Sequence, residues 1–139
     1  MSSIATNRTS SSTTTATAPS SSTKTTTATE ESLSRCLARL KRERRAWRKE
    51  HPPNFYARPE KNPDGSTNLR RWKTGIEGPK KSLWEGAKLK LSMQFPIEYP
   101  RKPPKVQFVP PLFHPNVYPS GTVCLDILAD KWQENVTVS

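Results

Sequence analysis

Apolar residues recur at helical spacing in the segment that follows residue 32. Five of them share one face of a helix: Leu33, Cys36, Leu37, Leu40 and Trp47. Arg44 interrupts this stripe. The run His51-Pro52-Pro53 ends the pattern, because a residue that precedes proline is disfavoured in the helical region. The spacing therefore predicts one amphipathic helix over residues 32–50.

The remaining faces of this helix are strongly basic. Six cations crowd them: Lys41, Arg42, Arg44, Arg45, Arg48 and Lys49. Glu43 and Glu50 are the acidic residues set against these cations on the charged surface. Such a surface is either a solvated face or a binding surface for an acidic partner, and the pattern alone leaves both interpretations open.

Short strands are predicted after the helix. The clearest is residues 87–95, where apolar Ala87, Leu89, Leu91, Met93 and Phe95 alternate with polar residues, as in a strand with one buried face. Further strands are predicted at residues 55–59, 69–76 and 105–108, with Trp72 pointing inward. The connecting loops are too short for helical crossovers, so the four strands should form an antiparallel meander.

A loop of about 13 residues, 113–125, follows the last predicted strand. Pro115, Pro119 and Gly121 interrupt regular hydrogen bonding there and favour turns. Cys124 lies at the end of this loop. A cysteine in that position is either a small buried thiol or a nucleophile presented by the turn, and composition does not choose between the two.

Composition limits the remaining possibilities. In residues 1–32, 20 of 32 positions are Ser or Thr, which predicts a disordered tail; a transit peptide is the alternative, although arginines are few. The net charge of +11 lies in residues 33–139 and favours acidic partners. Cys36 and Cys124 are too far apart for a metal motif or a disulfide framework. With no apolar run long enough to cross a membrane and no secretory signal, we expect a reduced intracellular protein.

The helix, the meander, His114-Pro115-Asn116 and a cysteine after Gly-Thr-Val together resemble the ubiquitin-conjugating enzyme family. The similarity is closest to the branch that conjugates the modifier SUMO, and four stretches carry it: residues 44–52, 61–65, 84–86 and 110–125. The resemblance covers residues 33–138. It implies an α+β core domain over residues 33–139, with an N-terminal helix, a four-stranded sheet and an active-site loop.

The resemblance also implies roles for residues of the loop. Cys124 would carry SUMO as a thioester, since sulfur is nucleophilic and a thiolate leaves readily. Asn116 would stabilise the oxyanion that forms when a lysine amine attacks, or brace the loop. His114 and Pro115 would fix the loop structurally. Four further residues match positions that bind the acceptor lysine motif: Lys105, Tyr118, Ser120 and Thr122.

Partners follow from the same resemblance. Arg44, Arg48 and His51 match a surface that binds a second SUMO non-covalently, while Arg44 and Arg45 fit the face used by the SUMO-activating enzyme. The expected partners are SUMO, its activating enzyme, SUMO ligases and lysine-bearing substrates, without a membrane. No metal or organic cofactor is implied, because ATP is used upstream by the activating enzyme. A nuclear and cytoplasmic location is implied as well.

The sequence departs from the family in three places. Gln107 stands where a second lysine is usual, only three residues separate Leu128 from Trp132, and the sequence stops before the family's C-terminal helices and the aspartate that helps to position the attacking amine. We therefore expect a domain without those helices that folds poorly and transfers slowly. Three alternatives remain: a non-catalytic adaptor that binds through the basic helix, specificity for ubiquitin, and a nucleic-acid-binding module. The last rests on net charge alone; neither a basic strand with interleaved aromatic residues nor a recognised nucleic-acid motif supports it, so nucleic acid is not among the expected partners.

Overall fold

The computed structural model describes residues 22–138. One long helix, α1 (Ser22–Lys49), precedes four strands: β1 (Phe55–Lys61), β2 (Thr67–Glu77), β3 (Lys88–Gln94) and β4 (Lys105–Phe108). A single turn of 3-10 helix follows at Asp126–Leu128. Within the described range, no α-helix follows α1. None of the described helices combines the length and the apolarity that crossing a bilayer requires.

The helix begins ten residues before the predicted start at residue 32. Residues 22–31 are therefore helical, where the sequence predicted a disordered tail; the remainder of that tail, residues 1–21, lies outside the described residues. Residues 26–31 are exposed, so the extension does not depend on burial. Once the packed part of a helix is formed, each added residue gains one hydrogen bond, which lets the helix extend over polar residues.

The sheet is the antiparallel meander that the strand pattern predicts, with the order β1-β2-β3-β4. Its central register pairs Trp72 of β2 with Met93 of β3, and Met93 with Val106 of β4. Trp72 is fully buried, as expected. The boundaries of β4 agree with the prediction, while β1 and β2 extend further than predicted because residues 60–61 pair with residues 67–68 beyond a bulge at Pro59.

The core lies where α1, β2 and the proline-rich loop after β3 meet. Cys36 and Leu40 of α1 pack against Trp72, Phe95 and Tyr99. The three aromatic rings form edge-to-face pairs, with centroids 5.9 Å apart for Trp72 and Phe95 and 4.8 Å apart for Phe95 and Tyr99. Such pairs add to the stability gained by burying apolar area.

Glu43 corrects the sequence interpretation of the helix. The sequence placed it on the charged surface, but it is only 3% exposed and lies on the apolar stripe. Its carboxylate accepts hydrogen bonds from the Tyr99 hydroxyl at 2.5 Å and the Val138 backbone N–H at 3.0 Å, and pairs with Arg39 at 2.5 Å. A charge survives burial when it is paired and hydrogen-bonded in this way.

The inward face of the sheet is covered only in part. Phe95 is buried, but Leu89, Leu91 and Met93 are only half-buried, although the alternation in β3 predicted a buried face. Helix α1 packs against β2, so its cover is limited to one end of the sheet. At the other end, Ile76, Leu89 and Phe108 line an open apolar groove of about 360 Å³ that reaches the cysteine loop.

Candidate active site

A tight turn shapes the loop that presents the cysteine. The backbone N–H of Gly121 donates to the Tyr118 carbonyl at 2.7 Å, and that of Tyr118 donates to the Thr122 carbonyl at 2.9 Å. Gly121 has a φ of 83°, and a Cβ at this position would lie 2.5 Å from the Phe108 carbonyl oxygen. Only glycine satisfies both conditions without strain, so Gly121 sets the direction of the chain into Cys124.

Cys124 is exposed and its backbone is held on the side of Asn116. The Cys124 N–H donates to the Asn116 carbonyl at 2.8 Å, next to an antiparallel bridge between Val117 and Val123. On the other side, residue 122 bridges to Gln107, and this register brings Lys105 opposite Cys124. The Cys124 backbone therefore lies between Asn116, predicted to stabilise the oxyanion, and Lys105, predicted to pair with the acid of the acceptor motif.

His114 is bonded within the loop. Its Nδ1 accepts a hydrogen bond from the Asn116 N–H at 3.0 Å, and its carbonyl accepts one from the Val117 N–H at 3.0 Å. Both contacts fix the backbone on either side of Pro115, and the first uses Nδ1 as an acceptor. The loop-bracing role predicted for His114 and Pro115 stays a prediction. Hydrogen bonds from the side chain and the carbonyl of His114 to the loop backbone are consistent with it.

The predicted substrate-binding residues lie around the same turn. The hydroxyls of Ser120 and Thr122 are 2.9 Å apart, and the Gln107 amide donates to the Thr122 hydroxyl at 3.2 Å and to the Ser120 carbonyl at 3.4 Å. Interaction with the neighbouring Cys124 side chain raises the pKa of the Tyr118 phenol. Tyr118, Ser120 and Lys105 are exposed and Thr122 is half-buried, so incoming segments can reach the first three directly.

Comparison with known proteins gives the family. The model of the ubiquitin-conjugating enzyme family matches residues 39–139. The chain belongs to the ubiquitin-conjugating enzyme family. A solved structure of a human ubiquitin-conjugating enzyme is 34% identical with a TM-score of 0.63, over 74% of this chain and 84% of that one. The predicted fold class is confirmed by this similarity and by the observed helix and meander.

Two curated members of this family are similar in sequence. The SUMO-conjugating enzyme of Dictyostelium discoideum is 53% identical over 103 residues, which are 73% of this chain and 65% of that relative. The SUMO-conjugating enzyme of Caenorhabditis elegans is 49% identical over 102 residues, which are 72% of this chain and 61% of that relative. The chain thus spans less than two thirds of the length of these members.

In this chain, the predicted partner-binding residues lie on α1 and just beyond its C-terminal end. Arg44 and Arg48 share one helix face, and His51 follows just beyond the helix end. The His51 ring stacks on Trp47 with centroids 5.4 Å apart, and its Nδ1–H donates to the Trp47 carbonyl at 3.1 Å. Arg45 and Arg48 are exposed and Arg44 is half-buried. These four residues form one continuous surface at the C-terminal end of α1.

Gln107 is the site residue that the sequence does not reveal, because in the sequence it is only a substitution for a usual lysine. Its partner Thr122 is 15 residues away and is revealed by the register of an isolated bridge. Among residues 22–138, no group of three or more His, Cys, Asp or Glu side chains is arranged to hold a metal ion.

Proposed function

We propose that this chain accepts SUMO as a thioester on Cys124 and passes it to substrate lysines. The observation that carries the proposal is an exposed thiol, bonded through its backbone to Asn116, in a chain about half identical to two SUMO-conjugating enzymes. The same relatives favour SUMO over ubiquitin as the modifier. A nuclear and cytoplasmic location belongs to this proposal.

The first step is thioester exchange. The Cys124 sulfur, after losing its proton to solvent, attacks the carbonyl carbon of the thioester between SUMO and a cysteine of the activating enzyme. The new C–S bond forms as the old one breaks, and the activating enzyme's cysteine leaves as a thiolate. Exposure of Cys124 permits this approach, whereas the buried Cys36 thiol is out of reach. No cofactor on this chain is needed, since ATP is used upstream.

The second step is aminolysis by a substrate lysine. The neutral amine attacks the thioester carbon and negative charge develops on the carbonyl oxygen. The C–S bond then breaks, Cys124 leaves as a thiolate, and the amine nitrogen gives up its proton to solvent. The Asn116 amide, beside Cys124, would donate to that oxygen; a positioned donor of this kind typically contributes about 10²–10³ in rate. Lys105 would pair with the acid of the acceptor motif, while Tyr118, Ser120 and Thr122 would hold the segment around the lysine.

The experiment combines the full chain with SUMO, its activating enzyme and ATP, followed by a non-reducing gel. A thiol-reducible adduct is expected for the wild type and for Cys36→Ala, and no adduct for Cys124→Ala. A parallel reaction with ubiquitin and its own activating enzyme should give no adduct. An adduct that survives in Cys124→Ala would overturn the site, and preferential charging with ubiquitin would overturn the modifier.

Discharge of the pre-formed thioester onto a lysine peptide tests the second step. Asn116→Ala should slow discharge by roughly 10²-fold while leaving charging intact, because the oxyanion donor is lost. Asn116→Asp keeps the side chain's size, removes the donor and adds a negative charge that repels the oxyanion, so it should slow discharge as well. A chain that binds SUMO but never forms the adduct would instead be the non-catalytic adaptor.

A further inference from the structure

The outward face of the sheet carries positive charge that the active site does not use. Side chains alternate across a strand, so the neighbours of buried Trp72 and half-buried Met93 point away from the core. Lys105 of the candidate active site lies on that side, opposite Gln94, and five further exposed cations of β1, β2 and β3 lie there as well: Arg58, Arg71, Lys73, Lys88 and Lys90. We name this set the outer cationic face.

Few carboxylates neutralise the outer cationic face. Oε2 of Glu60 lies 3.9 Å from Nε of Arg71, and Oε1 of Glu77 lies 3.8 Å from Nζ of Lys88. The other three cations, Arg58, Lys73 and Lys90, make no ion pair with any residue from 22 to 138. Arg58 and Lys73 are moreover directly opposite each other in the β1–β2 register. Like charges in that position destabilise a sheet, so the sheet itself gives no reason for them.

An aromatic ring lies flat among these cations. Tyr56 is paired with Gly75 across β1 and β2. A Cβ on Gly75 would lie 2.1 Å from Cε1 of Tyr56 and 2.6 Å from its hydroxyl oxygen, so the ring extends across the strand in the space that a side chain would fill. The ring remains 39% exposed. The Arg58 guanidinium lies over part of the ring, with its carbon 5.5 Å from the ring centroid, and Lys90 is the β3 partner of Gly75.

The shape and chemistry of this face favour one class of polyanion. Single-stranded nucleic acid is bound by cations that follow its phosphates and by aromatic rings on which bases stack. Outward residues two apart on a strand are separated by about 6.6–6.8 Å, so Arg71 and Lys73, or Lys88 and Lys90, form rows along which a backbone can run. A duplex keeps its bases stacked on one another and a polycarboxylate chain carries no bases, so either would leave the ring unused.

We propose that the outer cationic face binds single-stranded nucleic acid, with phosphates on Arg58, Lys73 and Lys90 and a base stacked on Tyr56. The bound strand would cross β1, β2 and β3 on the side opposite the core. This binding needs neither Cys124 nor Asn116, so it stands or falls separately from the conjugation proposed above.

The test uses the full chain and a fluorescent oligothymidylate of about 20 nucleotides, which exceeds the roughly 4–16 nucleotides that one small domain covers. Anisotropy titrations run between about 50 and 200 mM salt, over which affinity should fall as counterions are released. Lys73→Gln with Lys90→Gln should weaken binding by roughly tenfold or more and reduce the salt slope by about one to two. The Cys124→Ala chain should bind like the wild type.

The ring has its own pair of variants. Tyr56→Leu should weaken binding by roughly fivefold or more with an unchanged salt slope, because stacking is lost and charge is kept. Tyr56→Phe keeps the ring over Gly75 and should retain the affinity. A matched charge control, Lys41→Gln with Lys49→Gln on α1, lowers the net charge equally and should leave the affinity at the wild-type value.

Three outcomes would overturn the proposal. Equal losses for the α1 pair and the face pair would mean that binding follows net charge alone. Unchanged affinity in Tyr56→Leu would remove stacking from the interface. The third outcome is that unlabelled polyglutamate displaces the fluorescent probe as well as unlabelled oligothymidylate does at equal charge concentration. That result would assign the face to an acidic polypeptide instead.

Discussion

The two cysteines of this chain lie in opposite environments. Cys36 is fully buried on α1, where its thiol donates to the Pro96 carbonyl at 3.4 Å, and burial raises the pKa of that thiol. Cys124 is exposed at the end of the turn that Gly121 sets. Because the thiolate is the reactive form, a raised pKa and a buried position both make Cys36 inert.

We expect one fast-reacting thiol when the folded chain is treated with a maleimide at neutral pH. Cys124→Ala should lose the fast phase, whereas Cys36→Ala should keep it at its full rate. Mass spectrometry of the labelled peptide checks the assignment, and denaturant should expose the second thiol as a control. Fast labelling of folded Cys124→Ala would contradict the buried position of Cys36.

Single residues also mark where sequence reasoning stopped. The helical stripe correctly placed Cys36 and Leu40 in the core, but it gave Glu43 to the charged surface, because the hydroxyl that satisfies it belongs to Tyr99, 56 residues away. Tyr56 was read only as part of a strand, since its place among the cations depends on pairing with Gly75. A residue's role could be predicted where neighbours in sequence decide it, and not where distant partners do.

At the scale of elements, one polar cluster ties α1 to the loop after β3 and to the chain near residue 138. Glu43 is its centre, with the Tyr99 hydroxyl at 2.5 Å and the Val138 N–H at 3.0 Å. Arg39 adds a hydrogen bond to the Val136 carbonyl at 3.1 Å, and Trp132 donates to the Pro100 carbonyl at 2.7 Å. Three separate segments therefore depend on one buried carboxylate.

Removing one donor from this cluster should cost stability. Tyr99→Phe leaves the buried Glu43 carboxylate without its closest neutral partner, which should lower the free energy of unfolding by about 1–3 kcal/mol. Chemical denaturation followed by circular dichroism measures the loss. Tyr118→Phe deletes the same hydroxyl from an exposed ring and should change stability little. Equal effects of the two variants would show that the cluster contributes nothing specific.

The cluster also predicts an alkaline limit. Burial, followed by the hydrogen bond and the charge of Glu43, raises the pKa of Tyr99 above its ordinary value. The folded state thus holds the phenol proton more tightly than the unfolded state, in which tyrosine titrates near pH 10. This stabilisation is present below about pH 10 and is lost progressively above it. Tyr99→Phe should show a shallower loss of stability there, and an unchanged slope would contradict the burial of the phenol.

The basic end of α1 makes a further prediction at this scale. If Arg44, Arg48 and His51 bind SUMO, Arg44→Glu with Arg48→Glu turns attraction into repulsion, worth roughly 1 kcal/mol or more per site at a partly exposed interface. Calorimetric titration with SUMO at low and high salt measures it, and screening should weaken the wild-type binding. Lys41→Glu with Lys49→Glu is a matched reversal elsewhere on the helix. If the affinity for SUMO is unchanged by salt and by the Arg44→Glu, Arg48→Glu double substitution, this surface is not part of the interface.

For the whole molecule, the sequence predicted the architecture well because its signals are local. Alternation in β3, short loops and a proline-terminated helix were enough to give an α+β meander in the correct order. The extent of burial was harder to predict, since β3 reads as a strand with a buried face although Leu89 and Leu91 are only half-buried. A pattern shows which face is apolar, whereas only the packed structure shows what covers it.

The uncovered end of the sheet gives the last prediction. Ile76, Leu89 and Phe108 line an open groove of about 360 Å³, and Phe113 beside it is fully exposed. Each 100 Å² of apolar surface left in water forgoes about 2.5 kcal/mol, against a total stability of about 5–15 kcal/mol for a small domain. The 139-residue chain should therefore bind the dye ANS and melt below the roughly 45–65 °C usual for mesophilic domains. Leu89→Gln, which makes the groove wall polar, should reduce the dye signal, while Lys88→Gln on the opposite face of β3 should not. A cooperative melt near the upper end of that range without dye binding would show that the groove is closed in solution.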